Sequence, residues 1–339
     1  MPSRRDMPRQ ADIARIAGVS QATVSVVLGG RSGVRMAEST RRRVLEVAEN
    51  LGYVPHPVAT RLASARSNML GLYTFRATFP MEVADSYYPI LVGVEEEAAA
   101  LGQDLILFTG LSGAEASGEA AIRRTRVADG CLFFGRHVPE EPIAKLVDSG
   151  FPLVYIGRRE ELGGRIPYVG ADYVAASAEV ATRLAGLGHR NLLYVREADE
   201  APSSADRERG LRQAAPDARI VRLDGPALTT DTVRGWLADG VTAIVVEETD
   251  TGAAYSAVRR ALDAAGLSTP DDLSLAVLGR PPGDEPVSGF DIPRREMGRR
   301  AVRLLVDLIT ETETTPQQLL RCPPVAGTTA GPAPERDHA

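Results

Sequence analysis

The stretch Asp12-Ile13-Ala14-Arg15-Ile16-Ala17-Gly18-Val19-Ser20-Gln21-Ala22-Thr23-Val24-Ser25 reads as one short helix, a glycine turn and a second helix opened by a serine. Ile13, Ile16 and Ala17 fall on one helical face, and Val24, Val27 and Leu28 supply a facing stripe, so the two helices can clamp on each other. Gly18 permits the left-handed backbone that a sharp turn needs. Ser20 stands where its hydroxyl can accept from the first free amides, at a helix end whose positive pole suits a phosphate. The pattern is a helix-turn-helix and points to a chain that reads DNA.

Residues 38–51 continue it with a third amphipathic helix, Val44, Val47, Ala48 and Leu51 inward and Arg41, Arg42 and Arg43 at its start. Gly52-Tyr53-Val54-Pro55-His56-Pro57 breaks that helix. Val58-Ala59-Thr60-Arg61-Leu62-Ala63 is then an apolar, basic segment too short to hold a helix alone.

Charge divides the chain at the same place. Residues 1–67 hold eleven arginines against five carboxylates, a net +6, so with the whole chain at −6 the remainder carries −12. A basic head suits salt-sensitive phosphate contacts, and an acidic body repels the polymer elsewhere. Lys145 is the only lysine in the sequence, which reflects a compositional bias toward arginine.

The 339 residues leave room for two core-bearing lobes behind that head. Strand-like runs at 69–75, 104–108, 130–134 and 153–156 are followed by a second series at 190–195, 218–223, 243–246 and 273–278, with helical stretches such as 90–101 between them. Continuous apolar runs separated by helices predict parallel sheets covered on both faces. The helix 296–310 and the stretch near Leu319 and Leu320 are expected to return to the first lobe. Residues 327–339, rich in Pro, Gly and Thr, are expected to be disordered.

The Asp12–Ser25 pattern, the Gly-Tyr-Val-Pro break, the Val-Ala-Thr-Arg-Leu-Ala segment, Leu187-Gly188-His189-Arg190 and Glu296-Met297-Gly298-Arg299-Arg300-Ala301 together resemble the lactose-repressor and purine-repressor (LacI) family of bacterial transcription regulators. The resemblance implies an α/β chain: a three-helix headpiece over 1–55, a hinge over 56–67, a two-lobed periplasmic-binding-protein-like body over 68–326 and the tail. It implies that Gln21, Ala22 and Val26 face base edges, that Ser20, Thr23 and Ser25 meet phosphate, and that Arg61 and Leu62 belong to a hinge whose leucine wedges into the minor groove. Many members have arginine at the position of Val26, so the half-site should differ from the commonest one. The loop 29–36 is about two residues longer than usual, and Ala37 stands where a serine cap is common, so the third helix is expected to fray at its start.

For the ligand cleft, the resemblance implies roles for Tyr87, Asp172, Ser203 and Arg207, with Arg158 and Arg280 as further cationic candidates. Several positions depart from the family pattern. Glu247-Glu248-Thr249 replaces Ala-Asn-Asp, Gly279-Arg280 lacks the strand-end aspartate, the loop 281–286 is short, and Gly157 stands where another strand-end aspartate is frequent. A simple neutral sugar would lose acceptors there, at roughly 1 to 3 kcal/mol each. A sugar derivative or anionic metabolite is one expectation, and a clamp that has lost its effector and serves dimerisation is the other.

The expected partners are double-stranded operator DNA and a second copy of the chain. A clamp that only binds small molecules is the alternative, disfavoured by the basic head and by the lack of a signal peptide at the N-terminus. No Gly-x-Gly-x-x-Gly follows a strand, and no Gly-Lys-Ser/Thr loop or nucleophile elbow is present, so an enzyme is not expected. No cofactor or metal is expected either: His189 reads as a turn residue, and His56, His137 and His338 show no ligand spacing with it. Cys131 and Cys322 read as reduced packing residues in a cytoplasmic protein without membrane spans.

Overall fold

The computed structural model describes residues 8–28, 36–53, 66–75, 87–108, 118–224, 228–249, 252–280 and 286–335. The chain divides into two compact units, 1–68 and 69–339.

In the first unit, helices α1 (Gln10–Ala17), α2 (Gln21–Leu28) and α3 (Glu38–Asn50) enclose a core of Ile13, Ala14, Ala17, Val24, Val27, Val44 and Ala48. Gly18 adopts φ +66°, and the chain turns through 108° between α1 and α2, within the range of helix-turn-helix units. Ile16, expected on the inward face, is 50 % exposed, and Ala14 takes the inward place. An eight-residue helix crossing its neighbours steeply buries a narrower arc than the periodicity implies. Ala37 offers no side-chain cap to α3, whose first turn relies on the Ala37 carbonyl.

The second unit contains two six-stranded sheets. The first has the order β11-β5-β4-β3-β1-β2, from β1 (Met69–Thr74), β2 (Asp104–Phe108), β3 (Gly130–Phe134), β4 (Leu153–Ile156), β5 (Tyr168–Ala171) and β11 (Gln317–Leu320), all pairs parallel. The second has the order β12-β10-β9-β8-β6-β7, from β6 (Leu192–Glu197), β7 (Arg219–Leu223), β8 (Ala243–Glu247), β9 (Ser274–Leu278), β10 (Ser288–Phe290) and an antiparallel β12 (Pro324–Val325). Strands β3, β4, β8 and β9 are buried almost throughout, as the continuous apolar runs require. The short strands β5, β10 and β12 escape the sequence reading because each carries too few apolar residues to form a run.

Helices α4 (Tyr88–Ala100), α5 (Glu119–Arg123) and α6 (Glu140–Asp148) belong to the first lobe, and α7 (Tyr173–Gly186), α8 (Pro202–Ala214), α9 (Thr230–Ala238) and α10 (Ala253–Ala265) to the second. As expected, α11 (Arg294–Ile309) returns to the first lobe and packs along α4. The chain therefore crosses between lobes three times, at residues 171–173, 290–294 and 320–324. These crossings are tied side by side: the Asp172 amide donates to Leu320 O at 2.8 Å and the Asp291 amide to Pro323 O at 2.9 Å. Cys322 is buried there, and burial pushes its thiol pKa up to about 12.

Residues 327–335 are not the disordered tail that their composition suggests. The Leu275 amide donates to Thr329 O at 2.7 Å, the Thr329 hydroxyl donates to Leu275 O at 2.7 Å, and the Ala333 amide donates to Leu187 O at 2.8 Å. The His189 ring bridges Thr242 Oγ1 at 2.9 Å and Gly331 O at 3.0 Å, its pKa lowered by desolvation against the pull of that carbonyl. Leu187-Gly188-His189 is thus a clasp for the C-terminal segment. Low apolar content implied disorder because the compensating hydrogen bonds come from residues more than 40 positions away.

Between α4 and α11 lie two titratable staples, the exposed pair of Glu96 with Arg295 and a buried one at Glu97. Glu97 is 2 % exposed and accepts from Arg299 at 3.2 Å and from Arg303. Burial raises its carboxyl pKa, but the two guanidinium groups outweigh this and hold it below the usual carboxylate range. A depressed carboxyl contributes stability that is present above its unfolded pKa of about 4.3 and is lost as pH falls below it. Urea midpoints measured from pH 7 to pH 3.5 should therefore fall more steeply for the native chain than for Glu97→Gln, which should be the less stable of the two at pH 7. Parallel curves would refute this role.

Candidate functional site

Two surfaces carry the candidate residues, one in each unit. On the first, Ser20 Oγ accepts from the Thr23 amide at 3.1 Å and bonds Thr23 Oγ1 at 2.8 Å, capping α2 as its position implied. Val24 and Val27 are consumed by the core, which leaves Gln21 and Ala22 exposed and Ser25 and Val26 partly so on the outward side of α2. Arg42 and Arg43 are exposed at the start of α3. The outward row presents one amide side chain, small apolar groups and hydroxyls, a set able to contact base edges and phosphates. Arg61 and Leu62 lie outside the described residues.

The second surface is a cavity of about 130 Å³ between the lobes, at the carboxyl ends of β3, β4 and β8. Tyr87, Arg158, Ser203 and Arg207, all candidates from the sequence, line it. Tyr87 packs edge-on to Phe134 with ring centres 4.5 Å apart. Two candidates lie elsewhere. Asp172 caps α7, accepting from the Ala175 amide at 3.0 Å, and Arg280, two residues beyond the end of β9, is exposed and does not line the cavity.

The cavity also gathers residues that sequence reading left out: Arg136, Arg159, Tyr173, Glu247, Glu248 and Arg294. In the sequence Glu247 and Glu248 stand out only as departures from the family pattern. The buried Glu247 accepts from Ser204 Oγ at 2.5 Å, Tyr194 OH at 2.9 Å and Arg207 at 3.4 Å. Arg207 also donates from Nε to Leu278 O at 3.0 Å, and its guanidinium lies 3.8 Å over the Tyr173 ring. Glu248 pairs with Arg294 at 2.9 Å and fills the space over Gly279, where a Cβ would lie 2.7 Å from its Oε2. Glu248, just past β8, thus sets a carboxylate, paired with Arg294, over the end of β9 where the sequence has Gly279.

Besides Arg294 with Glu248, two further ion pairs among the described residues cross from lobe to lobe. Arg158, after β4, grips Asp206 of α8 through two bonds of 2.5 Å, and Arg136, after β3, pairs with Asp199, which His137 also approaches at 3.2 Å. Desolvation would lower the Arg158 pKa, but Asp206 and Glu160 outweigh it and raise the pKa. Burial pushes the Asp199 carboxyl up, yet Arg136 and His137 hold it below the usual range. Among the described residues no group of three side chains is placed to hold a metal ion, and no single helix is long and apolar enough to cross a membrane.

Comparison with known proteins bears on both surfaces. Residues 11–56 match the model of bacterial regulatory proteins of the lacI family, and residues 181–329 match a periplasmic binding protein-like domain. The HTH-type transcriptional regulator CelR of Thermobifida fusca is 28 % identical over 94 % of this chain and 96 % of its own length. Catabolite control protein A of Priestia megaterium is 27 % identical over 92 % and 95 %. Among solved structures, the lac repressor dimer bound to operator and the anti-inducer ONPF superposes with a TM-score of 0.73 at 19 % identity, covering 96 % of this chain and 99 % of that one. A complex of the regulator CelR with cellobiose gives 0.62 at 25 % identity, over 95 % and 99 %.

Proposed function

Because the chain belongs to the lacI family of bacterial regulatory proteins, we propose that it is a homodimeric operator-binding repressor whose interlobe cleft takes a small effector. The observation that carries this reading is the outward row of α2: Gln21, Ala22, Ser25 and Val26 are the residues its core packing leaves over, in a unit of net positive charge. In this reading residues 1–55 read the half-site, 56–67 form the hinge with Arg61 and Leu62, and 68–326 bind effector and dimerise. One head buries too little surface to specify a site, so two heads meet pseudo-palindromic half-sites about one helical turn apart. The first lobe offers a surface for the second copy, where Leu101 on α4's end and Leu107 on edge strand β2 are exposed beside a groove. A ligand shifts operator occupancy only if it prefers one lobe arrangement, and the ion pairs across the cleft are the contacts such a ligand would remake. We read the chain as a binding protein acting in the cytoplasm rather than as an enzyme.

Selection of bound duplexes from a randomised library with the full-length protein, at near-physiological salt, tests this. The expected result is a palindrome with a sensitive central step. Gln21→Ala should weaken its binding by about 1 to 3 kcal/mol, with the loss confined to one base pair per half-site. Leu62→Ala should flatten the preference at the central step. Recovery of no motif by folded dimer would refute the operator reading.

A further inference from the structure

We infer that the cleft selects a hydroxylated monocarboxylate of single-ring size, such as a hexuronate, whose carboxylate docks on Arg159 beside Gly157; this rests on the reading of the cleft as the effector site. Four of the five arginines lining the cavity already face carboxylates of the chain: Arg158 faces Asp206, Arg136 faces Asp199, Arg207 faces Glu247 and Arg294 faces Glu248. Arg159 differs. Among the described residues its two terminal nitrogens donate to the backbone carbonyls of Arg158 and Gly135, its guanidinium lies 4.0 Å over the Tyr155 ring, its buried Nε has no acceptor, and no carboxylate pairs with it. The residue is 5 % exposed, so it holds a desolvated charge that no carboxylate of the described residues balances, an arrangement that is costly until an anion arrives.

Space for that anion adjoins it. A Cβ built on Gly157 would lie 3.9 Å from Arg159 Nη2 and would meet nothing else within 4 Å, so the ground beside the guanidinium is open where another residue would place its side chain. One cation without a carboxylate matches one negative charge. A phosphate monoester carries nearly two at neutral pH, and the second would face pairs already balanced. Ser203, Glu248 and Thr249 line the same cavity with groups that pair with hydroxyls, and about 130 Å³ suits one ring rather than a disaccharide.

Calorimetry on the full-length chain, without DNA, with D-glucuronate, D-galacturonate, D-glucose and D-glucose 6-phosphate as probes tests the assignment. At least one uronate should bind ten times or more tighter than the neutral sugar and the phosphate. Arg159→Gln should weaken that binding roughly a hundredfold. Arg159→Lys, which keeps the charge but loses the planar fork, should fall between and covers the case in which the glutamine variant does not fold. Silence toward both uronates, equal affinity for glucose, tighter binding of the phosphate, or unchanged uronate binding in a folded Arg159→Gln would each overturn the proposal. None of these results depends on operator binding, which the duplex selection measures separately, so the two readings fail independently.

Discussion

Arg207→Ala should destabilise the body by about 3 to 5 kcal/mol at neutral pH, the cost of leaving one member of a buried ion pair without the other. Arg207 is enclosed between the Tyr173 ring, the Leu278 carbonyl and Glu247, so its removal strips a charge from a carboxylate that water does not reach and leaves a carbonyl without its donor. Ser204 and Tyr194 still donate to Glu247, but two neutral hydroxyls do not replace a guanidinium. In a body of this size the loss corresponds to a melting temperature lower by on the order of 10 °C. If the orphaned charge is the cause, Glu247→Gln added to Arg207→Ala should recover part of the loss, and a double-mutant cycle reads this directly. A double variant no more stable than Arg207→Ala would mean that lost packing, not lost charge, sets the effect.

A second large effect is expected at Gly298, where two opposing principles predict opposite signs. Within a helix, alanine is favoured over glycine by about 1 kcal/mol, so Gly298→Ala in α11 would stabilise an isolated helix. In the fold a Cβ at 298 would lie 2.3 Å from Ile90 O and 2.9 Å from Val94 N, and one at Gly93 would lie 2.0 Å from Arg295 O. Both obstacles are backbone atoms of a facing helix and cannot swing aside. Overpacking of this kind costs about 1 to 3 kcal/mol or more, so steric exclusion should win and Gly298→Ala should lower the urea midpoint, with Gly298→Val lowering it further. Gly235, inside α9, has nothing within 4 Å of its Cβ position, and Gly235→Ala should be neutral or stabilising. A stabilised Gly298→Ala would show that α4 and α11 can separate at little cost.

What could be read from the chain alone depended on local signals. Helix-turn-helix spacing, the Gly18 turn and the Ser20 cap lie within about fifteen residues, and local hydrogen bonding makes them what they are. The buried strands were legible because a parallel strand covered on both faces must be apolar at nearly every position. Of the cleft, Tyr87, Ser203 and Arg207 are legible from their resemblance to family positions, and Arg158 as a further cationic candidate.

Only the tertiary structure decided which of those arginines is already neutralised. Arg158 meets a carboxylate 48 positions away and Arg207 one 40 positions away, whereas Arg159, one residue along from Arg158, meets none among the described residues. Likewise only the fold brings Glu248 over Gly279, ties residues 327–335 to His189 and Leu275, and sets Asp172 to capping a helix. Backbone conformation follows from interactions between near neighbours, which a sequence displays. Charge compensation in a desolvated cleft depends on which distant segments the sheets bring within a few ångströms, and that is settled only once the chain is packed.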